Sequence, residues 1–171
     1  MAESNNLLYV RFWIDAFWLF SVTELKAFTG GLISTLPVQS TEWQLSFKLK
    51  VNTFAHLKWK KILVIENQLL KIPIPKVSML DTTLQISTQI NEDETHKYKK
   101  DDMILNKFYE IAISQRYIAN GEYLFRIMID GIEVHSVINR DAIQYFNQEL
   151  YVLKPTAADC DITDLSFTNF L

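Results

Sequence analysis

The sequence predicts an all-β fold in which two antiparallel sheets pack as a β-sandwich of the jelly-roll type. Several short segments alternate strictly between apolar and polar residues, which is the pattern of strands with one buried face. Turn signals separate these segments, and no spacing typical of a strand–helix–strand unit is present. Together these observations predict roughly nine to eleven short strands in one sandwich.

The clearest strand in the first half is Trp43–Val51 (WQLSFKLKV). Its apolar side chains occupy every second position, and the polar ones, Lys48 and Lys50 among them, occupy the positions between. This alternation is typical of a half-buried antiparallel strand. Leu84–Ile90 repeats the pattern and predicts a second strand of the same kind.

Two runs between these strands, Ile62–Glu66 and Leu69–Ile74, are rich in β-branched and aliphatic residues. Pro73 and Pro75 lack the N–H that a central strand donates, so the end of the second run is predicted at a sheet edge or in a loop. The charged segment Asn91–Asp102 (NEDETHKYKKDD) has no apolar period. It is predicted to be a solvated loop.

The second half repeats the alternation with better-defined turns. Asn120-Gly121 supplies a turn before a strand over Glu122–Asp130, and Asp130-Gly131 matches the two-residue hairpin signal. That turn needs positive φ, which Asp and Gly tolerate. Ile132–Ile138 is the predicted return strand, with His135 on its outward, exposed phase. Two further strands are predicted near residues 149–154 and 161–167.

The N-terminal run Leu7–Phe20 (LLYVRFWIDAFWLF) is apolar at almost every position, so periodicity favours neither strand nor helix. Arg11 and Asp15 interrupt it, which is unlike a secretory signal, and it is shorter than the roughly twenty residues of a membrane span. We expect residues 1–24 to pack on or extend a sandwich formed by residues 25–171. The alternative is a contact surface for a membrane interface, a protein partner or self-association. The side chains that would form this surface are Leu7, Phe12, Trp13, Phe17 and Trp18.

Composition excludes two classes of protein. The 171 residues are 49% apolar and 13% aromatic, which is opposite to the composition of disordered chains. The 17 Lys and Arg are outnumbered by 20 Asp and Glu, so no nucleic-acid partner is expected. Cys160 stands alone and has no partner for an internal disulfide.

No pattern typical of a catalytic or cofactor site stands out. His56, His96 and His135 lack metal-ligand spacing, and four glycines leave none for a phosphate-binding loop. The charges flanking Cys160 disfavour its thiolate, and no nucleophile elbow is present. We therefore expect a non-enzyme without cofactor or metal. A calcium site at Asp159, Asp161 and Asp164 remains an alternative to ordinary turn carboxylates.

Several segments resemble a known family. Phe108–Arg140, followed by Phe146–Leu153 and Ile162–Phe167, resembles the C-terminal half of concanavalin A-like lectin domains, in the style of galectins and laminin G-like modules. Gly31–Pro37 and the strand after Trp43 resemble the opening of laminin G-like domains. The resemblance implies a concanavalin A-like jelly roll over residues 25–171 and favours an extracellular location, whereas the absent signal and unpaired Cys160 favour an excised fragment or an intracellular protein.

The sequence departs from the functional motifs of this family. Asn52–Ile90 lacks the His-x-Asn-Pro-Arg strand and the Trp-Gly-x-Glu-x-Arg segment with which galectins bind β-galactosides, although His56 and Trp59 occur there. Glucanases of the superfamily use carboxylates that alternate along a strand, whereas Glu92, Asp93 and Glu94 are contiguous.

The remaining expectation is binding. A glycan or glycoprotein is the expected ligand, because sugar sites combine an exposed aromatic with amide and charged side chains. The alternative is a protein-interaction or structural module that binds no sugar. The candidate ligand-binding residues are Trp59, Lys48, Lys50, Gln85, Gln89, Arg126, His135, Asn139 and Arg140.

Overall fold

The computed structural model describes residues 10–14, 17–25, 31–67, 72–152 and 159–170. These residues form thirteen strands and no helix. All pairings between the strands are antiparallel, and the strands divide into two sheets. The predicted all-β, two-sheet antiparallel sandwich is therefore confirmed.

The first sheet has seven strands. In spatial order they are β1 (Val10–Ile14), β2 (Phe17–Leu25), β13 (Asp159–Phe170), β4 (Glu42–Thr53), β9 (Phe108–Ala119), β10 (Glu122–Ile129) and β11 (Ile132–Asn139). The second sheet has six: β3 (Gly31–Gln39), β12 (Tyr145–Val152), β5 (Ala55–Glu66), β6 (Pro73–Asp81), β7 (Thr83–Ile90) and β8 (Asp93–Lys100).

The core lies between the two sheets and follows the predicted alternation. Along β4 every second side chain from Trp43 to Val51 is buried. Trp43 stacks on Phe167 of β13 with ring centroids 6.3 Å apart, and its ring lies 6.4 Å from that of Phe125 on β10. Burial of such aromatic and aliphatic rows is the main source of stability in a sandwich.

The N-terminal hairpin extends the seven-stranded sheet. β1 pairs with β2, with Trp13 opposite Trp18, and β2 pairs with β13. Leu7 lies outside the described residues. The domain boundary after residue 24 stays a prediction.

The predicted solvated loop over residues 91–102 is wrong, because Asp93–Lys100 forms β8. β8 is an edge strand that pairs with β7 through the backbone, and that pairing needs no apolar period. His96 and Tyr98 on one phase are half-buried, while Lys97 and Lys99 on the other are exposed. Lysines are common on edge strands because they oppose pairing with further chains.

The predicted edge or loop position of Pro73 and Pro75 is confirmed in part. Both lie in β6, which stands between β5 and β7, but the pairing with β7 begins only at Lys76, so the two prolines precede that ladder. They occupy the first and third positions of the strand, where the register with β5 is irregular near Glu66. A proline is tolerated where the ladder begins or is interrupted.

Candidate functional site

The outer face of the six-stranded sheet carries an unusual group of side chains on strands β5 to β8. One row across the sheet contains Lys61, Ser78, Gln85 and Lys99, which are direct partners in register. The next row contains Val64, Lys76, Ser87 and Lys97. We define the lysine face as these polar residues together with Trp59, which precedes Lys61 by two positions on β5.

Local sequence explains this arrangement. Each strand alternates a core residue with polar neighbours, as in Lys76-Val77-Ser78, Gln85-Ile86-Ser87 and Lys97-Tyr98-Lys99. Val77 and Ile86 are buried in the core. Because the side-chain period of a strand is two, the flanking polar residues must point away from the core.

Trp59 provides an aromatic surface at one side of this face. Its side chain is 39% exposed, and the Nζ atom of Lys99 lies 5.6 Å from the ring centroid. Ser78 and Gln85 lie between β5 and β8 in the same row as Lys99 and are buried. A half-exposed indole beside a cation is a surface on which a ligand can stack.

The charge on the lysine face is largely unmatched. Within the described parts of the chain, Lys76, Lys97 and Lys99 have no carboxylate within ion-pair distance. Burial lowers the pKa of Lys76, and the nearby charges of Lys61 and Lys97 lower it further. Glu66, whose Oε2 lies 3.8 Å from Nζ of Lys61, acts in the opposite direction on the Lys76 pKa.

Ser87 is an unsatisfied polar group beneath these lysines. The residue is 4% exposed, and its Oγ has no hydrogen-bond partner among the described residues. A buried hydroxyl without a partner costs about 1–3 kcal/mol of desolvation free energy. Such a group in a native protein is a reason to look for a ligand.

The predicted ligand-binding residues are distributed over four places. Trp59 and Gln85 belong to the lysine face, and Gln89 follows on the same phase of β7. The Oε1 of Gln89 accepts a hydrogen bond from the hydroxyl of Tyr145 at 3.1 Å, which fixes its amide at the end of the sheet.

Lys48, Lys50 and Arg126 lie on the outer face of the opposite sheet, and each is paired with a carboxylate. The Nζ of Lys48 is 2.7 Å from Asp164, and the Nε of Arg126 is 2.8 Å from Glu133. Lys50 pairs with Asp161. The structure does not bring these three residues together with Trp59.

Asn139 and Arg140 lie at a rim where an end of each sheet meets. The amide of Asn139 is buried; it donates to Oε1 of Gln115 at 2.8 Å and accepts from the backbone N–H of Asn91 at 3.0 Å. Nε of Arg140 donates to Glu122 at 2.8 Å. Asn139 thus joins the β7–β8 turn to the seven-stranded sheet.

An open depression of about 530 Å³ lies next to this network. Its lining is mixed in charge, with Asp93, His96, Arg140 and Asp141 around Val137. The described residues around it contribute no exposed aromatic side chain, so the depression lacks the stacking surface that Trp59 gives to the lysine face.

His135 is not the outward-facing residue that simple alternation predicts. The register between β10 and β11 shifts so that Glu133 pairs with Met128 while His135 pairs with buried Ile127. The bulge turns His135 inward, where its Nε2 lies 2.9 Å from Nε2 of His96 on β8. Burial, followed by the charge of His96, lowers the pKa of His135.

Sequence reasoning missed Lys61, Lys76, Ser87, Lys97 and Lys99. The alternation that places Lys76 and Ser87 outward was available in the sequence, but their neighbours depend on strand register. Lys97 and Lys99 were missed because their segment was predicted to be a loop.

The carboxylates near Cys160 are held by neighbouring side chains. Asp161 and Asp164 each pair with a lysine, and Nδ2 of Asn52 donates to Asp161 at 3.2 Å and Asp159 at 3.4 Å. No group of three potential metal ligands occurs among the residues described. Burial raises the pKa of the Cys160 thiol to about 12, with Asp159 and Asp161 adding to the shift.

Within the described ranges, no helix has the length and apolar character needed to cross a membrane.

The fold is that of an antiparallel β-sandwich with an open polar face, and comparisons place it among known structures. No family model matches the chain, and no curated protein matches it. Among solved structures, it is similar to the binding domain of botulinum neurotoxin DC in complex with SialylT, with a TM-score of 0.57 and 13% identity over 90% of this chain and 37% of that one.

Two further similar structures belong to related toxins. The binding domain of botulinum neurotoxin serotype G has a TM-score of 0.57 and 13% identity, over 96% of this chain and 44% of that one. The third structure is of botulinum neurotoxin type C and concerns cell entry that depends on interaction with two ganglioside molecules. It has a TM-score of 0.54 and 14% identity, over 90% of this chain and 37% of that one. The chain therefore spans less than half of these proteins, and at such identities the likeness shows a shared fold.

Proposed function

We propose that this protein is a non-catalytic, lectin-like carbohydrate-binding module and that the lysine face is its sugar-binding surface. The observation that carries the proposal is the half-exposed Trp59 on an open polar sheet face. An indole ring packs against the C–H face of a sugar, while amide and ammonium groups donate hydrogen bonds to hydroxyl oxygens. Lys99 stands beside the ring, and Gln85 is its partner in register on β7.

The comparisons support a binding rather than a catalytic role. Two of the similar structures are toxin binding domains, one of them in complex with SialylT, and the third concerns cell entry of a toxin that depends on interaction with two ganglioside molecules. This chain spans less than half of each, so the SialylT complex of one toxin and the ganglioside interaction of another support the proposal without showing the same ligand for this chain.

The proposal includes a more specific relationship, in which the domain belongs with concanavalin A-like domains of the galectin-like or laminin G-like type. The missing galectin motifs over Asn52–Ile90 argue against β-galactoside recognition in the galectin manner. The lysine face offers a different set of groups. Among them, only Trp59 corresponds to a galectin feature, the aromatic ring that stacks on the sugar.

The test is a glycan array followed by titration calorimetry with the intact chain. We expect Trp59→Ala to weaken binding of the selected glycan by about tenfold or more, because the stacking area is lost. Phe146→Ala is the matched control, since Phe146 is an aromatic residue of the same sheet that is 56% exposed. Absence of any bound glycan at high micromolar concentration, or full binding by Trp59→Ala, would overturn the proposal.

The second candidate function is protein interaction or self-association through the N-terminal hairpin. It is favoured by the position of β1, which among the described strands pairs with β2 alone and so leaves one backbone edge open. Edge strands of this kind can pair with another chain. Light scattering of the intact chain against a deletion of residues 1–14 tests it. A monomer in both forms would contradict self-association.

A further inference from the structure

We propose that the lysine face recognises a sugar bearing a sulfate or phosphate ester, and that the ester group binds between Lys76 and Lys97 above Ser87, with Lys61 adjacent. This inference rests on the proposed function, since it names the ligand class of the same surface. It adds a second contact point to the aromatic one at Trp59.

The positions of the lysines carry the first step. Lys76 and Lys97 flank Ser87 in one row across β6, β7 and β8. Strands two apart in a sheet are separated by about 10 Å, so two lysine side chains leaning over the middle strand can bring their ammonium groups to a common point. Lys61 is on β5, in the adjacent row of the sheet, where it pairs with Ser78 two positions after Lys76.

The charges carry the second step. Lys76 is close enough to Lys61 and Lys97 for their charges to oppose its own protonation, and burial acts in the same direction. An anion at this point would relieve both the repulsion and the loss of hydration. Glu66 lies 3.8 Å from Nζ of Lys61 and partly offsets the positive charge around Lys76, but no carboxylate of the described residues is within ion-pair distance of Lys76 or Lys97.

Ser87 carries the third step, independently of charge. Its buried Oγ has no partner within the described chain, and it lies at the middle of the row that the two lysines flank. An ester oxygen placed there would accept a hydrogen bond from the Ser87 hydroxyl and so provide its missing partner. The long lysine side chains that flank Ser87 can rotate to admit the oxyanion.

A tetrahedral oxyanion fits these groups better than a carboxylate. Lysine ammonium groups act as separate point charges, whereas planar carboxylates are matched by the fork of arginine. A sulfate or phosphate ester has three free oxygens, which can accept from Lys76, Lys97 and Ser87 at the same time.

The experiment compares one glycan in its neutral, sulfated and phosphorylated forms by calorimetry, at low and high salt. We expect one of the esters to bind about tenfold or more tightly than the neutral sugar at low salt, with the difference shrinking as salt screens the charges. The sulfated and phosphorylated arms show which ester is preferred.

Two variants locate the site. Lys76→Gln combined with Lys97→Gln should abolish the preference for the ester, so that the variant binds the neutral and the esterified sugar with equal affinity. Ser87→Ala should weaken ester binding about three- to tenfold and should fold normally, since it removes an unpartnered hydroxyl. Lys48→Gln is the matched control, because it removes the same charge from the opposite sheet.

The outcomes separate this inference from the proposed function. Equal binding of neutral and esterified sugars, still dependent on Trp59, would overturn the ester site and leave the sugar-binding proposal standing. Binding of inorganic sulfate that is lost in the double lysine variant, with no sugar bound, would overturn the sugar-binding proposal. Full ester preference in the double variant would overturn the location.

Discussion

The outer faces of the two sheets use lysine in opposite ways. On the seven-stranded sheet, Lys48 bonds to Asp164, and this hydrogen bond raises the pKa of the lysine. On the six-stranded sheet, burial and neighbouring lysines lower the pKa of Lys76. The same residue type on the same kind of strand is thus stabilised in its charged form on one face and destabilised on the other.

The difference is that the lysines of the seven-stranded sheet are paired with carboxylates, whereas the charges on the lysine face are largely unpaired within the described residues. Exposed ion pairs contribute little to stability, about 0–1 kcal/mol each, but they leave no unmet charge. The lysine face keeps its unmet charge next to an exposed indole and a buried hydroxyl without a partner among the described residues. Natural sequences retain such locally unfavourable groups mainly where they serve a function.

The comparison assumes one core shared by both sheets, and Phe47→Ala tests that assumption with the largest expected effect. Phe47 is among the largest fully buried side chains. Its truncation should lower the free energy of unfolding by about 3–5 kcal/mol through lost transfer energy and the cavity left behind. Chemical denaturation measures this. Phe146→Ala, at an exposed position, should change stability little.

Lys76→Glu should give the lysine face a carboxylate beside its lysines, as on the outer face of the seven-stranded sheet. The new carboxylate would lie between Lys61 and Lys97, so we expect the free energy of unfolding to rise by up to about 1 kcal/mol and ester binding to disappear. Thermal unfolding and calorimetry measure the two effects. Loss of stability in this variant would show that Lys76 is not held among positive charges.

Asp164→Asn should leave Lys48 on the outer face of the seven-stranded sheet without its carboxylate, as on the lysine face. Removal of the partner of Lys48 should change the free energy of unfolding only slightly, because the pair is exposed to solvent. We expect no ester binding to appear, since the described residues around Lys48 provide neither an exposed indole nor a buried hydroxyl without a partner. Ester binding by the variant would mean that free lysines alone are sufficient.

The smallest expected effect concerns the edges where the sheets meet, at His96 and His135. A hydrogen bond between two Nε2 atoms requires one ring to donate and the other to accept, so it is lost when both rings are protonated. The pKa of His135 lies below its ordinary value of 6.5. The unfolded chain therefore binds more protons in this range, and stability should decline as pH falls below about 6.5.

His135→Gln should reduce the dependence of the free energy of unfolding on pH below about 6.5. Unfolding measured at a series of pH values tests this. His56→Gln is the control, since His56 is exposed and pairs only with Asp81 among the described residues. Further titratable groups at the pair are Asp93, which lies 3.8 Å from His96, and Tyr98 beside His135. Glu92, Arg140 and Asp141 line the same depression as His96. An unchanged slope in the His135 variant would assign the acid sensitivity elsewhere.

Strand alternation was enough to predict the two-sheet class and the buried row of β4, because the burial of one face imposes period two directly on the sequence. It failed where another interaction replaced burial. β8 is held by its pairing with β7, and the bulge near His135 reversed the face of that residue. The lysine face depends on register among four strands, and a single sequence does not define which residues become neighbours.

The position of β13 has a consequence for how the chain is assembled. Residues 159–170 lie between β2 and β4, in the interior of the seven-stranded sheet, although they are the last described strand to leave the ribosome. The β9–β10–β11 meander has tight turns and can form early from local contacts, whereas β13 must insert between strands made more than a hundred residues before it. Until then, β2 and β4 have edges exposed to other chains, so a nascent or truncated protein would be most prone to aggregate at the centre of its own sheet.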